Sequence, residues 1–514
     1  MIIIYHKNNR VIDVTYGGNK NLAFNRKASI ASIVMNLAIN YPQSKIVWCH
    51  QNFQSSLDLE FINNELHHDR MMLSYNPNNI NFLSKKIGYI DESPFIKINK
   101  EVLYPTWQMS SAVGSIHASI LLTINKRIKL DYDFDYYLSS IAKVCMPLGL
   151  LSYSEPKLLS GSCPVNISKL SDFKLFKFVK QHYKTRWIFL LFLNLMIYEF
   201  KFPLLPFLYS GFFRNRTNNV IKINNIKVNS TLEEAIDLKT IDIIIPTIGR
   251  KEYLYDILKD LSHQTHLPVN IIIVEQNPLV ESVSELNYLT SEAWPFEIKH
   301  TFTHQSGACN ARNIALNQVE SEWVFFADDD IRIANCFIKI AFEFISQYKN
   351  KAVTFNCLRK GEKTGNNEIF QWITFGSGCS IVKSEVVKDI SFNVKYEFGF
   401  GEDADFGMQI RNKGYDVLYF PTPQILHLKA PVGGFRTKPN FLWNNDQIKP
   451  KPSPTVMLYK VLHETNEQIN GYKIILFFKY YKSQSIKNPI KYFLNFQKEW
   501  KKSSYWANEL INKI

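Results

Sequence analysis

The second half of this chain predicts an α/β fold, and three observations carry that prediction. Apolar, strand-like runs alternate with segments of helical spacing between Ile241 and His427. The runs are nearly continuous in apolar residues, as strands covered on both faces require. Several of them end in a polar cluster, and open α/β sheets gather ligands beyond the carboxyl ends of their strands.

In order, Ile241–Ile245 is all isoleucine except Asp242 and runs into Pro246-Thr247. Tyr253–Thr265 places Leu254, Ile257, Leu258 and Leu261 at helical spacing. Val269–Val274, apolar except for Asn270, predicts a second strand, with Glu275-Gln276-Asn277 just past it. A helix opens near Ser306–Arg312, and a third strand, Trp323–Ala327, runs directly into Asp328-Asp329-Asp330. Phe398–Arg411 reads FGFGEDADFGMQIR; glycine on both sides of Phe400 lets the backbone bend and hold Glu402 and Asp403 at a helix start. The strand-like runs Val417–Phe420 and Gln424–Leu426 lead to His427.

Composition bounds the rest. With 514 residues, 46% hydrophobic and 21% charged, the chain is globular, and at about 150 residues per domain it holds two to four domains. Seven scattered cysteines without a CxxC pair suit reduced thiols in a cytosolic protein, not a disulfide framework. The start, MIIIYHKNNR, lacks the basic n-region of a signal peptide. Trp187–Tyr198 is apolar over twelve residues, short of the roughly 20 a bilayer crossing needs. It reads as a buried helix or as an interfacial segment. Asn215–Asp237 is polar and Asn-rich and reads as a linker. Half of the net charge of +14 lies in Gly471–Ile514, where nine lysines and two glutamates are interleaved with aromatics. Such a tail suits an anionic membrane surface or an ordinary packed helix with solvated lysines, and suits nucleic acid less.

The acidic clusters carry the chemistry. A D-x-D at a strand end presents hard oxygen ligands for Mg²⁺ or Mn²⁺, and such an ion grips a diphosphate. The alternative is an acidic turn capping a helix. Carboxylates at a helix start are held ionised by the helix dipole, as a general base must be. Here too a plain acidic helix start, with Asp405 and Arg411 as structural charges, is the alternative. His427 is a structural imidazole or a ligand; its place after both acidic elements favours metal ligation.

Four elements in one order, IIIPTIGR, SGACNARNIAL, VFFADDDI and GFGEDADF, resemble inverting glycosyltransferases of family 2 with the GT-A fold. The last is also similar to the GWGGEDDD-type element of galactosyltransferase-like C-terminal regions. The resemblance spans Ile241–Arg436. It implies that Pro246, Thr247 and Arg250 line a nucleotide pocket. Glu275 would recognise the base, where Asp is more frequent. Arg312 and Asn313 would lie near the nucleotide and diphosphate, as would Asp329, with Asp328 on the ribose. Asp330 and His427 would hold Mn²⁺ or Mg²⁺, Asp403 would be the catalytic base and Glu402 would hold acceptor hydroxyls.

The implied reaction is metal-dependent, inverting hexose transfer from a nucleotide-diphospho-sugar, UDP-linked, to a glycan or lipid-linked glycan acceptor. It would serve surface polysaccharide synthesis at the cytoplasmic membrane face, with the tail on the membrane and no nucleic-acid partner. A sugar-1-phosphate nucleotidyltransferase is the enzyme alternative; PTIGRKE, with one glycine, argues against it. The other alternative is a glycan-binding scaffold of transferase descent, against which both acidic clusters stand. Beyond His427, Lys429, Gly433-Gly434, Arg436 and Lys438 suit a mobile loop over the diphosphate or a surface turn.

The first half resembles a shortened copy of the second. KIVWCHQN (Lys45–Asn52) is similar to NIIIVEQN (Asn270–Asn277), Trp107 parallels Trp372, and Pro156 parallels Pro423. At the GED position the first half offers Asp135-Tyr136. Residues 1–165 are therefore expected to form a degenerate, non-catalytic GT-A-like domain. A helical, apolar connection over 166–237, a catalytic domain over 238–440 and a basic aromatic tail over 441–514 would come after it.

Overall fold

The computed structural model describes residues 1–18, 20–78, 81–161, 171–217, 220–228, 239–431 and 441–512. The chain divides into two compact units, Met1–Thr231 with Thr465–Lys479, and Leu232–Glu464 with Tyr480–Ile514.

The first unit is built on β1 (Ile2–Lys7), β2 (Arg10–Tyr16), β3 (Lys20–Asn21), β4 (Lys45–His50), β5 (Met71–Tyr75), β6 (Tyr104–Pro105), β7 (Val113–His117) and β8 (Leu151–Ser154). They form one sheet in the order β3-β2-β1-β4-β7-β5-β8-β6. The second contains β9 (Ile241–Thr247), β10 (Asn270–Gln276), β11 (Glu297–Thr303), β12 (Trp323–Ala327), β13 (Ile331–Arg332), β14 (Ala352–Leu358), β15 (Phe370–Gln371), β16 (Cys379–Lys383) and β17 (Leu418–His427). Their order is β11-β10-β9-β12-β16-β14-β17-β13, with β15 also on β17.

The inner strands of the two sheets share one topology. β1 and β4 are parallel, as are β9 and β12; β4–β7 and β12–β16 are antiparallel, as are β5–β7 and β14–β16. β5–β8 and β14–β17 are parallel, and β6 and β15 lie antiparallel on β8 and β17. The second half has the GT-A-type mixed sheet expected of it, and the first repeats its centre. Beside the first strand the units differ. β10 joins β9 as a parallel crossover strand, whereas β2 folds back on β1 as a hairpin.

This register revises one pairing read from sequence. The last rungs Cys49↔Val113 and Ala327↔Cys379 make Lys45–His50 the counterpart of Trp323–Ala327, not of Asn270–Gln276. Buried apolar runs look alike, so the strings alone could not separate the two. His50-Gln51-Asn52 therefore stand where the second half has Asp328-Asp329-Asp330.

The apolar helix Arg186–Glu199 is amphipathic in place, not uniformly buried. Ile188, Leu191 and Leu195 join the first unit's core, while Phe189, Met196 and Ile197 are exposed. Among the described residues no helix is long and apolar enough to cross a membrane. The described part of the Asn-rich stretch packs on the first unit, with Ile221, Ile223 and Val228 buried and Arg70 donating to the Asn224 and Ile226 carbonyls at 2.6 Å. Residues 229–237 of the expected linker lie outside the described residues.

The first unit is completed by the late segment Thr465–Lys479. Gln468 Nε2 donates to the carbonyls of Asp91 at 3.0 Å and Ser93 at 2.9 Å, Glu467 pairs with Lys85 at 3.1 Å, and Gly471 lies against the Tyr89 backbone. In the second unit the helix Pro489–Asn512 buries Tyr492, Phe496, Trp500 and Ala507, and Trp506 donates to Asp446 at 2.6 Å. Three of the tail's aromatics thus serve packing, while Phe478, Tyr481, Phe493 and Tyr505 are exposed. The six described cysteines form no disulfide, and Cys163 lies outside the described residues.

Candidate active site

The carboxyl ends of β9 and β12, the start of the helix Ala308–Leu316 and the start of the helix Glu402–Asn412 enclose a cleft of about 500 Å³. Of the residues named from sequence, Pro246, Thr247, Arg250, Arg312, Asp328, Asp329, Asp330, Glu402, Asp403 and His427 line it. Glu275 and Asn313 do not.

The reasons are local. Along β10 successive side chains point to opposite faces. Gln276 lines the cleft and accepts from the Gly307 amide at 2.6 Å, whereas Glu275 lies 3.0 Å from the Nε2 of His300. On a helix adjacent residues diverge by about 100°. Arg312 reaches the cleft, while Asn313 donates to the carbonyl and accepts from the amide of Phe392, both at 2.8 Å. Asn313 ties its helix to the segment at Phe392.

The three aspartates have three different surroundings. Asp329 is buried and accepts from Thr247 at 2.7 Å and from Arg250 at 2.5 Å, locking the end of β9 to the end of β12. Asp328 accepts from Arg312 Nη2 at 3.0 Å. Its carboxylate fills the space above Gly378, where an added Cβ would lie 2.1 Å from Oδ2; only glycine fits there. Asp330 Oδ2 accepts from the Ala430 amide at 2.8 Å, and its Oδ1 lies 3.4 Å from His427 Nε2. Against burial, which pushes it up, the contacts to His427 and Ala430 hold the Asp330 carboxyl below its ordinary value.

Gly401, at φ +122°, makes the turn into the helix Glu402–Asn412. Burial raises the Asp403 carboxyl, and Arg312 and Ser377 oppose that rise. The Oδ1 of Asp403 is shielded and has no hydrogen-bond partner within the protein, so one strong acceptor is left unsatisfied at the cleft wall. Burial, then the charge of Asp403, raises Glu402 to about 7.

Sequence reasoning missed Glu397, Gln276, Ser377 and Arg359, which also line the cleft. Glu397 accepts from the Cys309 amide at 3.2 Å and the Asn310 amide at 3.0 Å, capping the helix that carries Arg312. Only the fold brings residues 88 apart together, so no local signal could have marked it. Lys429 lines the cleft; Gly433, Gly434, Arg436 and Lys438 lie outside the described residues.

Residues 242–399 match the model of the family described as Glycosyl transferase family 2. Over that segment the second unit is similar to family 2 glycosyltransferases. An uncharacterized glycosyltransferase of Haemophilus influenzae is 27% identical to the chain over 135 residues, 26% of this chain and 43% of the relative. The chain thus spans less than half the length of that curated relative. Solved structures similar in part include S. aureus TarS 1-349 in complex with UDP-GlcNAc, with 18% identity, 51% of this chain and 79% of that chain covered and a TM-score of 0.35. S. aureus TarS 1-349 without a named ligand gives 19% identity, 37% and 60% coverage and a TM-score of 0.31. The family match ends at Gly399, so Glu402, Asp403 and His427 lie beyond the matched segment yet line the same cleft.

Proposed function

We propose that the chain is a metal-dependent, inverting hexosyltransferase that moves a sugar from a nucleotide diphosphate, UDP-linked, to a glycan hydroxyl. The observation that carries this reading is the convergence of Asp328, Asp330, Asp403, Glu402, Arg312 and His427 on one cleft. In the reaction the acceptor oxygen bonds to the anomeric carbon as the bond to the diphosphate oxygen breaks. The bonding pair leaves with the diphosphate, and the hydroxyl proton passes to Asp403. Ser377 steadies that carboxylate and Glu402 stands beside it, placed to orient a second hydroxyl.

The donor set suits a hard divalent cation. Asp330 is held ionised and His427 is beside it, but among the described residues no three His, Cys, Asp or Glu side chains cluster to hold an ion alone. A Mg²⁺ or Mn²⁺ there would complete its shell with donor phosphates and water, as Mg²⁺ commonly does. When bound, it would neutralise the diphosphate leaving group. Arg312, Arg359 and Lys429 add positive charge around the same cleft.

The acceptor belongs to a surface polysaccharide, met at the cytoplasmic face of the membrane. Support for a membrane contact comes from the segment 186–213, where Phe200 is 92% and Phe212 85% exposed, beside Phe202, Leu205 and Leu208. Exposed aromatic and aliphatic residues next to Lys184, Arg186, Lys201 and Arg214 have the composition of an interfacial surface.

The test is donor turnover with and without Mn²⁺ in wild type and Asp330→Ala, after a thermal-shift screen of nucleotide sugars. Metal-dependent release of the nucleoside diphosphate that is lost in the variant supports the reading. Pyrophosphate release, or no turnover of any donor, overturns it.

A further inference from the structure

The first unit holds a cleft of its own, about 620 Å³, at the place in its sheet that the active-site cleft takes in the second. Its chemistry is different. The strand end that carries three aspartates in the second unit carries His50-Gln51-Asn52 here, and His50 Nδ1 already accepts from the Asn52 amide at 3.3 Å. No acidic pair is left at that strand end to hold a cation. Two lysines line the wall: Lys174 is paired with Asp133 at 2.5 Å, and burial lowers Lys100 and so disfavours its charged form.

What the cleft retains is the second carboxylate. Asp135, near the start of the helix Phe134–Cys145, accepts from the Ser111 amide at 2.6 Å, much as Asp403 engages Ser377. Around it stand the amides of Asn9, Asn76, Asn81 and Gln108 and the rings of Tyr104 and Tyr132. Burial lowers His6 to about 4, and its Nε2 lies 2.7 Å from the Ser111 carbonyl, so that ring is a neutral donor. Burial raises Asp135 to about 6. Side-chain amides, tyrosine rings and the Asp135 carboxylate, with Asp133 engaged by Lys174, match the hydroxyls and apolar faces of an uncharged sugar.

We propose that this cleft is a binding site for a neutral carbohydrate, with Asp135 accepting a sugar hydroxyl, the asparagine amides bracketing its neighbours and Tyr132 covering a ring face. The site binds without turnover, and it stands or falls separately from the catalytic reading of the second unit.

Saturation-transfer NMR on the full chain tests it, with an equimolar panel of the methyl glycosides of glucose, galactose, mannose and N-acetylglucosamine. EDTA is present, and Asp330→Ala/Asp403→Asn silences the other cleft. Transfer to at least one glycoside should persist in that double variant, resist excess UDP and fall about tenfold in Asp135→Asn. Tyr132→Ala, at a side chain 64% exposed, should lower it without disturbing the fold. Donor hydrolysis should be unchanged in both first-cleft variants, which separates this failure from that of the catalytic reading. Absence of transfer to every glycoside, displacement by UDP, or indifference to both first-cleft substitutions overturns the proposal.

Discussion

The guanidinium of Arg312 meets Asp328 at 3.0 Å while its own Nε is buried with no hydrogen-bond partner in the protein. The fork is half used, and the unused edge belongs to a residue lining the cleft. Arg312→Lys keeps the charge and loses the planar fork. Donor affinity, read by calorimetry with UDP-sugar, should weaken about tenfold, the worth of one charge-assisted hydrogen bond. Unchanged affinity would remove Arg312 from the donor site.

Asp403→Asn replaces the shielded acceptor with an amide of the same shape. Transfer should fall by a factor of about 100 or more, the usual contribution of a positioned base, while donor affinity stays within about twofold. A variant with wild-type turnover would assign the proton to another group.

The pH dependence comes from two raised carboxyls. Burial lifts Asp403, and burial together with the charge of Asp403 lifts Glu402 to about 7. A base works ionised, so transfer should rise with pH along a limb displaced upward from the ordinary carboxylate range, as the buried Asp403 gives up its proton. Stability runs the opposite way. The folded state prefers Glu402 protonated, so this contribution is intact below its ordinary value of 4.5 and is lost as pH rises through about 7. Melting temperatures over that range should fall less in Glu402→Gln than in wild type.

Gly378→Ala puts a methyl group within 2.1 Å of the Asp328 carboxylate. Asp328 must swing aside and break its bond to Arg312. The expected result is a loss of kcat/KM for donor of about tenfold or more, with the circular dichroism of the wild type retained. Normal kinetics would show that Asp328 does not touch the donor.

If the segment 186–213 meets lipid, the full chain should float with vesicles containing anionic phosphatidylglycerol. Phe200→Ser/Phe212→Ser should reduce the bound fraction several-fold, two exposed aromatic rings being worth about 1.5–3 kcal/mol each on burial. Equal flotation of wild type and variant would point the contact elsewhere.

The second half was legible because its strands announce themselves. Ile241–Ile245 and Trp323–Ala327 are too apolar for anything but a buried strand, and each gives way to polar residues at its carboxyl end. The convergence of Asp330, Asp403 and His427 on one cleft could be anticipated, because sheet ends collect in one place. The division of labour within the acidic run could not. Asp329 is a lock between strands and Asp328 a partner of Arg312, and that difference comes from which face of the turn each occupies. Glu275 and Asn313 sit one residue from side chains that line the cleft, and a single step in strand or helix turns a ligand into a structural tie. The first half was legible as a copy but not in register, because its hairpin replaces a crossover that letters alone do not reveal.

The segment Thr465–Lys479 closes the first unit, although the intervening 232–464 belongs to the second. During synthesis the first unit therefore waits for its last piece until residues 232–464 have emerged. Ending the chain after Glu464 would remove Gln468 from the Asp91 and Ser93 carbonyls and uncover the backbone of Tyr89. The two halves are topological repeats but not separable modules: the one made first is finished last.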